Sequence, residues 1–150
     1  MTLVQEIMQN KVLVSAVLAW AAAQILKVFT NYFRHRKMDV ERLVGAGGMP
    51  SSHSALVVAL TMSVGLNFGW DSPLVALSCV LAAIVMYDAA GVRNAAGKQA
   101  KVINKLVREH PAPRVAREGK LKELLGHTPV EVVAGAFLGA AMAYFIYWYW

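Results

Sequence analysis

The chain has 150 residues, of which 57% are hydrophobic and 16% charged, and its formal net charge is +6. This apolar content excludes an intrinsically disordered chain, and a single cysteine excludes a disulfide scaffold. Nucleic-acid binding would explain the basic charge but not the apolar content. We therefore expect a single-domain membrane protein over residues 1–150, with basic segments outside the bilayer and no nucleic-acid partner.

Four apolar runs follow one another along the chain, at residues 12–29, 54–70, 73–92 and 130–150. A helix rises about 1.5 Å per residue and the hydrocarbon core is about 30 Å thick, so about 20 residues cross it. None of the runs alternates with the two-residue period of a strand. The sequence predicts an all-α integral membrane bundle of about four transmembrane helices, in which the second helix is the shortest.

Thirteen of the fifteen lysines and arginines lie in two connecting segments, residues 30–53 and 93–128. With four spans, both segments fall on one side of the membrane, and the positive-inside rule makes that side cytoplasmic. Basic residues that bind an anion would produce the same asymmetry. Residues 100–108 are predicted to form a short basic amphipathic helix that lies on the anionic leaflet, and residues 115–125 a second short helix.

The first group of residues suited to chemistry stands at the start of the second apolar run. In Pro50-Ser51-Ser52-His53, either serine is a natural helix N-cap. Free N–H groups and the helix dipole make such an N-terminus an anion site, and His53 lies in its first turn. The alternative interpretation is a capped helix with a histidine at the membrane interface.

The second group opens the fourth apolar run. His127 and Glu131 are four residues apart and share a helix face, so the carboxylate can hold one imidazole nitrogen and leave the other as a nucleophile. Thr128, Pro129 and Glu131 also fit a capping box, in which Glu131 serves the backbone. The two roles are compatible.

Four spans bring these groups to one membrane face, together with Lys27, Asp88 and Arg93 at the ends of the first and third helices. Ionisable residues in membrane segments are functional candidates. Alternatively, Lys27 extends to the surface and Asp88 pairs with a neighbouring cation. Two histidines, several cations and two helix N-termini suit a phosphate, and the histidine spacings are not those of metal ligands. We expect no metal and no cofactor.

These motifs resemble those of the type 2 phosphatidic acid phosphatase and vanadium-dependent haloperoxidase superfamily. Lys27 and Arg34 have the spacing of its first motif, residues 50–53 resemble its second, and residues 127–131 match the latter half of its third, with Glu for Asp. The chain is most similar to the divergent small membrane branch, the haloperoxidase-related acid phosphatases, in which residues 87–93 are themselves a signature.

The resemblance implies a membrane phosphatase that acts on a lipid phosphate monoester or pyrophosphate. It implies that His127 is the nucleophile, that Glu131 orients it, and that His53 is the general acid. Phosphate-binding roles are implied for a further set, and Asp88 would support them: Lys27, Arg34, Ser51, Ser52 and Arg93. The arginine of the third motif is missing, so Arg93, or as second choice Lys122, is expected to replace it.

Other functions remain open on the sequence alone. The altered third motif allows a non-catalytic anion- or lipid-binding membrane protein with a degenerate phosphatase site. A vanadate haloperoxidase is disfavoured because such enzymes are mostly large and soluble, and a small transporter because its charges lie near helix ends. Four spans are fewer than the superfamily's usual six, so a homodimer is compatible with the resemblance. The expected location is a prokaryotic plasma membrane, with the site facing the cytoplasm.

Overall fold

A computed structural model describes residues 2–35, 48–109, 121, 123 and 125–150 of the chain. All regular structure in these residues is helical, which confirms the predicted all-α membrane bundle. The helices are α1 (Leu3–Gln9), α2 (Lys11–His35), α3 (Ser52–Phe68), α4 (Pro73–Ala90), α5 (Val92–Glu109) and α6 (Pro129–Tyr149).

Three helical runs contain a stretch that is long and apolar enough to cross a membrane: Lys11–Phe33, Pro73–Glu109 and Pro129–Tyr149. In the second of these runs, α4 is the apolar part. The second predicted span, α3, has 17 residues and is therefore only about 26 Å long. It nevertheless occupies the centre of the bundle, where it packs against α2, α4 and α6. Its neighbours shield much of its surface, so α3 depends less than they do on matching the bilayer thickness.

Outside the four apolar helices, the structure differs from what the sequence predicts. Helix α1, which a capping box at Thr2 begins, was not predicted. Helix α5 begins at Val92 rather than at residue 100, so Gly91 alone separates it from α4. In the region of the predicted helix 115–125, the three described residues (Leu121, Glu123 and Leu125) are not helical, and the others lie outside the described residues.

Small residues allow α3 to approach its neighbours closely. The buried core consists of Ala19, Ala23, Ala55, Ala59 and Ala143 from α2, α3 and α6. A Cβ atom on Gly135 would collide with the backbone carbonyl of Ser51, which precedes α3, and one on Gly139 with that of Ala55 in α3. These two glycines of α6 therefore serve contact within the chain, because small residues let helices approach closely.

Candidate active site

The start of α3 is docked on the first turn of α6. Ser51 is the N-cap, and its hydroxyl accepts a hydrogen bond from the backbone N–H of Ser54 at 3.3 Å. The backbone N–H of Ser51 donates to the carbonyl oxygen of Glu131 at 2.9 Å. The N-terminus of α3 is thus fixed against α6, and this N–H of Ser51 is already used within the protein.

Both backbone polar groups of His127 are hydrogen-bonded to neighbouring helices. Its N–H donates to the carbonyl of Ala89 at 2.9 Å, and the side-chain amide of Asn94 donates to its carbonyl at 3.1 Å. The preceding residue, Gly126, has φ of +82°, and a Cβ there would collide with the backbone of Asn94. Glycine is required at position 126 for both reasons. The imidazole is therefore placed by the end of α4 and the start of α5, and it is buried, with 2% of its surface exposed.

Glu131 orients the His127 ring and caps α6 with the same oxygen atom. Its Oε2 lies 3.3 Å from Nδ1 of His127 and accepts the backbone N–H of Thr128 at 3.0 Å. Glu131 therefore makes both of the contacts considered for residues 127–131, one to the imidazole and one to the backbone. A carboxylate only accepts, so Nδ1 carries the proton and the lone pair of a neutral ring is on Nε2. Nε2 is buried and has no hydrogen-bond partner among the described residues.

His53 faces His127 across a pocket of about 250 Å³. The ring centroids are 6.2 Å apart, and the ring planes are inclined by 61°. His53 is exposed, whereas His127 lies at the buried end of the pair. The pocket is lined by His53, Ile84, Val85, Asp88, Ala89, Arg93, Gly126 and His127.

Arg93 brings a positive charge to this pocket from the first turn of α5. Its Nε donates to Oδ2 of Asp88 at 2.6 Å, and the two side chains are 52% and 38% exposed. A guanidinium has five N–H donors, and this contact uses one of them. Arg93 can therefore contact an anion in the pocket while Asp88 holds its position.

Lys27 is not among the residues that line the pocket. The side chain is 4% exposed, and its ammonium group donates to the Ser52 hydroxyl at 2.9 Å. A buried ammonium group needs compensation by hydrogen bonds or by opposite charge. This bond ties Lys27 to the first turn of α3, next to both histidines. The side chains of Arg34 and Lys122, also predicted to bind phosphate, lie outside the described part of the structure.

The surroundings of His127 favour its neutral form. Burial lowers the pKa of the imidazole below its usual value of 6.5, and the positive charge of Lys27 lowers it further. The hydrogen bond and charge of Glu131 oppose this shift. Since desolvation is the largest effect, His127 is neutral at pH 7, as a nucleophile requires.

The structure brings His53, His127, Glu131, Arg93 and Asp88 together, with Lys27, Ser51 and Ser52 directly behind them. Sequence reasoning missed the apolar wall formed by Ile84 and Val85, and it missed Asn94. Residues 84 and 85 are ordinary members of an apolar run. The role of Asn94 depends on a contact across 33 positions, which leaves no local pattern.

The fold and the pocket together define a helical membrane protein with a pocket lined by two histidines and one arginine. The family model described as the divergent PAP2 family matches residues 8–142. The chain belongs to this family. It is 44% identical to the uncharacterized membrane protein YuiD of Bacillus subtilis (strain 168), over 93% of this chain and 98% of that protein. No solved structure matches the chain.

Proposed function

We propose that this chain is a metal-independent membrane phosphatase, which hydrolyses a lipid phosphate monoester or pyrophosphate through a phospho-histidine intermediate. The observation that carries the proposal is the state of His127, whose Nδ1 is 3.3 Å from Glu131 while the buried Nε2 has no partner among the described residues. An imidazole oriented in this way carries its lone pair on Nε2, the atom that would attack phosphorus. Membership of the divergent PAP2 family supports the same chemistry.

In the proposed first step, Nε2 of His127 attacks phosphorus and forms an N–P bond while the P–O bond to the leaving group breaks. His53 donates its proton to the leaving oxygen. Both rings line the same pocket of about 250 Å³, in which a phosphoryl group would bind. Negative charge on a bound phosphate favours the protonated form of His53 that this step needs.

In the second step, water attacks the phospho-histidine and transfers a proton to His53. The N–P bond breaks, inorganic phosphate leaves, and both histidines return to their starting states. In both steps Glu131 accepts a hydrogen bond from the Nδ1–H group of His127. Its negative charge stabilises positive charge on the His127 ring, as the third member of a catalytic triad does.

Two cations stabilise the phosphoryl group in this proposal, at different distances. Arg93 lines the pocket and can donate to the equatorial oxygens, where charge is spread in the transition state. Lys27 acts from behind α3 through its charge and through the Ser52 hydroxyl. Arg34 remains a predicted additional cation, and Lys122 remains the second choice to Arg93 for the missing arginine.

The lining of the pocket favours a lipid substrate. Ile84, Val85 and Ala89 form one wall, and Ile84 is 61% exposed on the outer surface of α4. A phosphate held by the histidines would therefore leave its attached chain against an apolar surface that faces the bilayer. Phosphatidate, phosphatidylglycerophosphate and isoprenyl pyrophosphates all have this combination of a charged head and an apolar tail.

The proposal is tested with the purified protein in lipid nanodiscs, by measuring phosphate release from each of these three lipid classes. We expect release from at least one of them, and we expect His127→Ala to abolish it. Val133→Ala, on the exposed side of α6, is the matched control and should retain activity. Binding of a lipid phosphate without release, unchanged in His127→Ala, would instead establish the non-catalytic lipid-binding function.

The proposed location of the site is the cytoplasmic face of a prokaryotic plasma membrane. In a Cys79→Ser background, Leu121→Cys and Asp71→Cys place one thiol at each end of the bundle, both at exposed positions. We expect a membrane-impermeant thiol reagent, added to intact cells, to label position 71 and not position 121. Labelling of position 121 alone would reverse the orientation.

A further inference from the structure

Helix α5 exposes an apolar face on the side opposite to its contacts with the rest of the chain. Val102, Ile103 and Leu106 are 58%, 46% and 54% exposed. At about 100° per residue these three side chains share one face of the helix. The buried residues Gly97 and Ala100 lie on the other side, and a Cβ on Gly97 would be only 2.8 Å from the carbonyl oxygens of Glu123 and Leu125.

A cationic flank borders this apolar face. Lys98, Lys101 and Lys105 are all exposed and lie along one edge of the helix. The described carboxylates on or beside this part of α5 are Glu109, 3.8 Å from Lys105, and Glu123, which contacts Asn104. The flank therefore keeps an excess of positive charge, which complements an anionic surface.

The position of α5 in the chain restricts what can cover this face. Gly91 is the single residue between α5 and α4, whose apolar length is sufficient to cross a bilayer. A membrane span over α4 would place the start of α5 at the boundary of the hydrocarbon core. A helix at that depth with an apolar face and an adjacent row of lysines is typical of in-plane interfacial helices.

We propose that α5 lies in the headgroup layer of the bilayer, with Val102, Ile103 and Leu106 inserted toward the acyl chains. Lys98, Lys101 and Lys105 bind the headgroups of anionic phospholipids beside them. The first turn of the same helix carries Arg93, which lines the pocket, and Asn94, which holds the His127 carbonyl. Binding of α5 to the bilayer surface thus fixes the depth of the pocket and raises the local concentration of anionic lipids at its entrance.

The depth of α5 is measured with spin labels on the full chain in a Cys79→Ser background, reconstituted in phosphatidylcholine vesicles with and without phosphatidylglycerol. Ile103→Cys reports the apolar face, and Lys101→Cys is the matched control on the flank. We expect the label at 103 to be accessible to oxygen and shielded from a water-soluble nickel reagent. We expect the label at 101 to show the reverse, in both cases most clearly with phosphatidylglycerol present.

Three outcomes at position 103 would overturn the proposal. Equal nickel accessibility at 103 and 101 would mean that the face is in water. Dipolar broadening between labels at 103 would mean that a second copy of the chain covers it. Exclusion of both oxygen and nickel would mean that protein from the same chain covers it. Because none of these measurements depends on turnover, failure here is distinguishable from failure of the proposed phosphatase activity.

The lysine flank is tested separately by enrichment of fluorescent phosphatidylglycerol around the protein in mixed vesicles. Each lysine near an anionic membrane surface strengthens binding to that surface about fivefold. We expect the triple variant Lys98→Gln, Lys101→Gln, Lys105→Gln to lose most of the enrichment, and added salt to weaken it in the wild type. Unchanged enrichment in the triple variant would refute the role of the flank.

Discussion

Two pairs of helices build the pocket, and they differ in how firmly they are held. Helices α3 and α6 approach backbone to backbone at Gly135 and Gly139, and the N–H of Ser51 is bonded to the Glu131 carbonyl. Helices α4 and α5 are mostly exposed in the described structure, and α5 buries only Gly97 and Ala100. His53 belongs to the tightly packed pair and the half-exposed Arg93 to the loosely packed one, whereas His127, which precedes α6, is hydrogen-bonded through its backbone to Ala89 of α4 and Asn94 of α5.

The largest effects are expected at the two histidines. His53→Ala should reduce turnover of a lipid alkyl phosphate by about 10²–10⁴-fold, because the leaving oxygen then lacks a proton donor. Turnover of 4-nitrophenyl phosphate, whose leaving group needs no proton, should fall much less if the enzyme accepts this substrate. Steady-state kinetics with both substrates measures the difference, and an equal loss on both would argue against His53 as the general acid.

Smaller losses are expected from the loosely packed pair. Arg93→Ala should lower kcat/KM by about 10²-fold, since one donor to the transition state is removed. Asp88→Asn keeps Arg93 but releases its Nε, so it should cost less than Arg93→Ala. Kinetics of the two variants and of the double variant test this order. A double variant that loses the full product of both single losses would show that Asp88 does not act through Arg93.

Substitutions of Glu131 separate its two roles on one oxygen atom. Glu131→Gln preserves an acceptor for the Thr128 N–H but removes the negative charge beside His127, whereas Glu131→Ala removes both. We expect both variants to lose activity by at least about tenfold, but only Glu131→Ala to lose about 1 kcal/mol of stability. Activity assays and thermal unfolding in detergent measure the two effects. Full activity in Glu131→Gln would restrict this residue to helix capping.

The pH profile reports the charge of His127. Its pKa is lowered by burial and by Lys27, so kcat/KM should decline on acidification only below pH 6.5, as the ring gains a proton and loses its lone pair. Lys27→Met removes a positive charge, so it should move this acidic limb to higher pH. Profiles of kcat/KM for the wild type and the variant test the shift, and a limb that moves to lower pH would contradict it.

The smallest effect is expected on stability, at the close contact between α3 and α6. Gly139→Ala places a Cβ against the Ala55 carbonyl, so it should destabilise the bundle by about 1–3 kcal/mol. Phe137→Ala, on the outer face of the same helix at 73% exposure, is the control and should have little effect. Thermal unfolding in one detergent compares them. Equal stability of the two variants would show that α3 and α6 separate at little cost.

The sequence predicts the parts of this site that local patterns encode. Apolar length predicts α2, α4 and α6, and the four-residue spacing of His127 and Glu131 predicts their contact, which is 3.3 Å in the structure. The alignment of four helix ends on one face predicts that His53 meets His127. These predictions rest on helix geometry, which needs no knowledge of tertiary contacts.

Long-range contacts account for what the sequence does not predict. The burial of Lys27 against Ser52 depends on how closely α2 and α3 pack. The early start of α5 depends on Gly91, which ends one helix without preventing the next from starting immediately. The glycine at 126 is required because α5 passes beside it, which no pattern around residue 126 reveals.

The most direct test of the central claim is to trap the phosphoryl group on His127. The purified protein is mixed with ³²P-labelled phosphatidate, phosphatidylglycerophosphate or isoprenyl pyrophosphate, quenched in base, and analysed by mass spectrometry of its peptides. We expect base-stable, acid-labile phosphate on His127 of the wild type and none on His127→Ala. Release of phosphate by the wild type without any label on His127 would contradict the account.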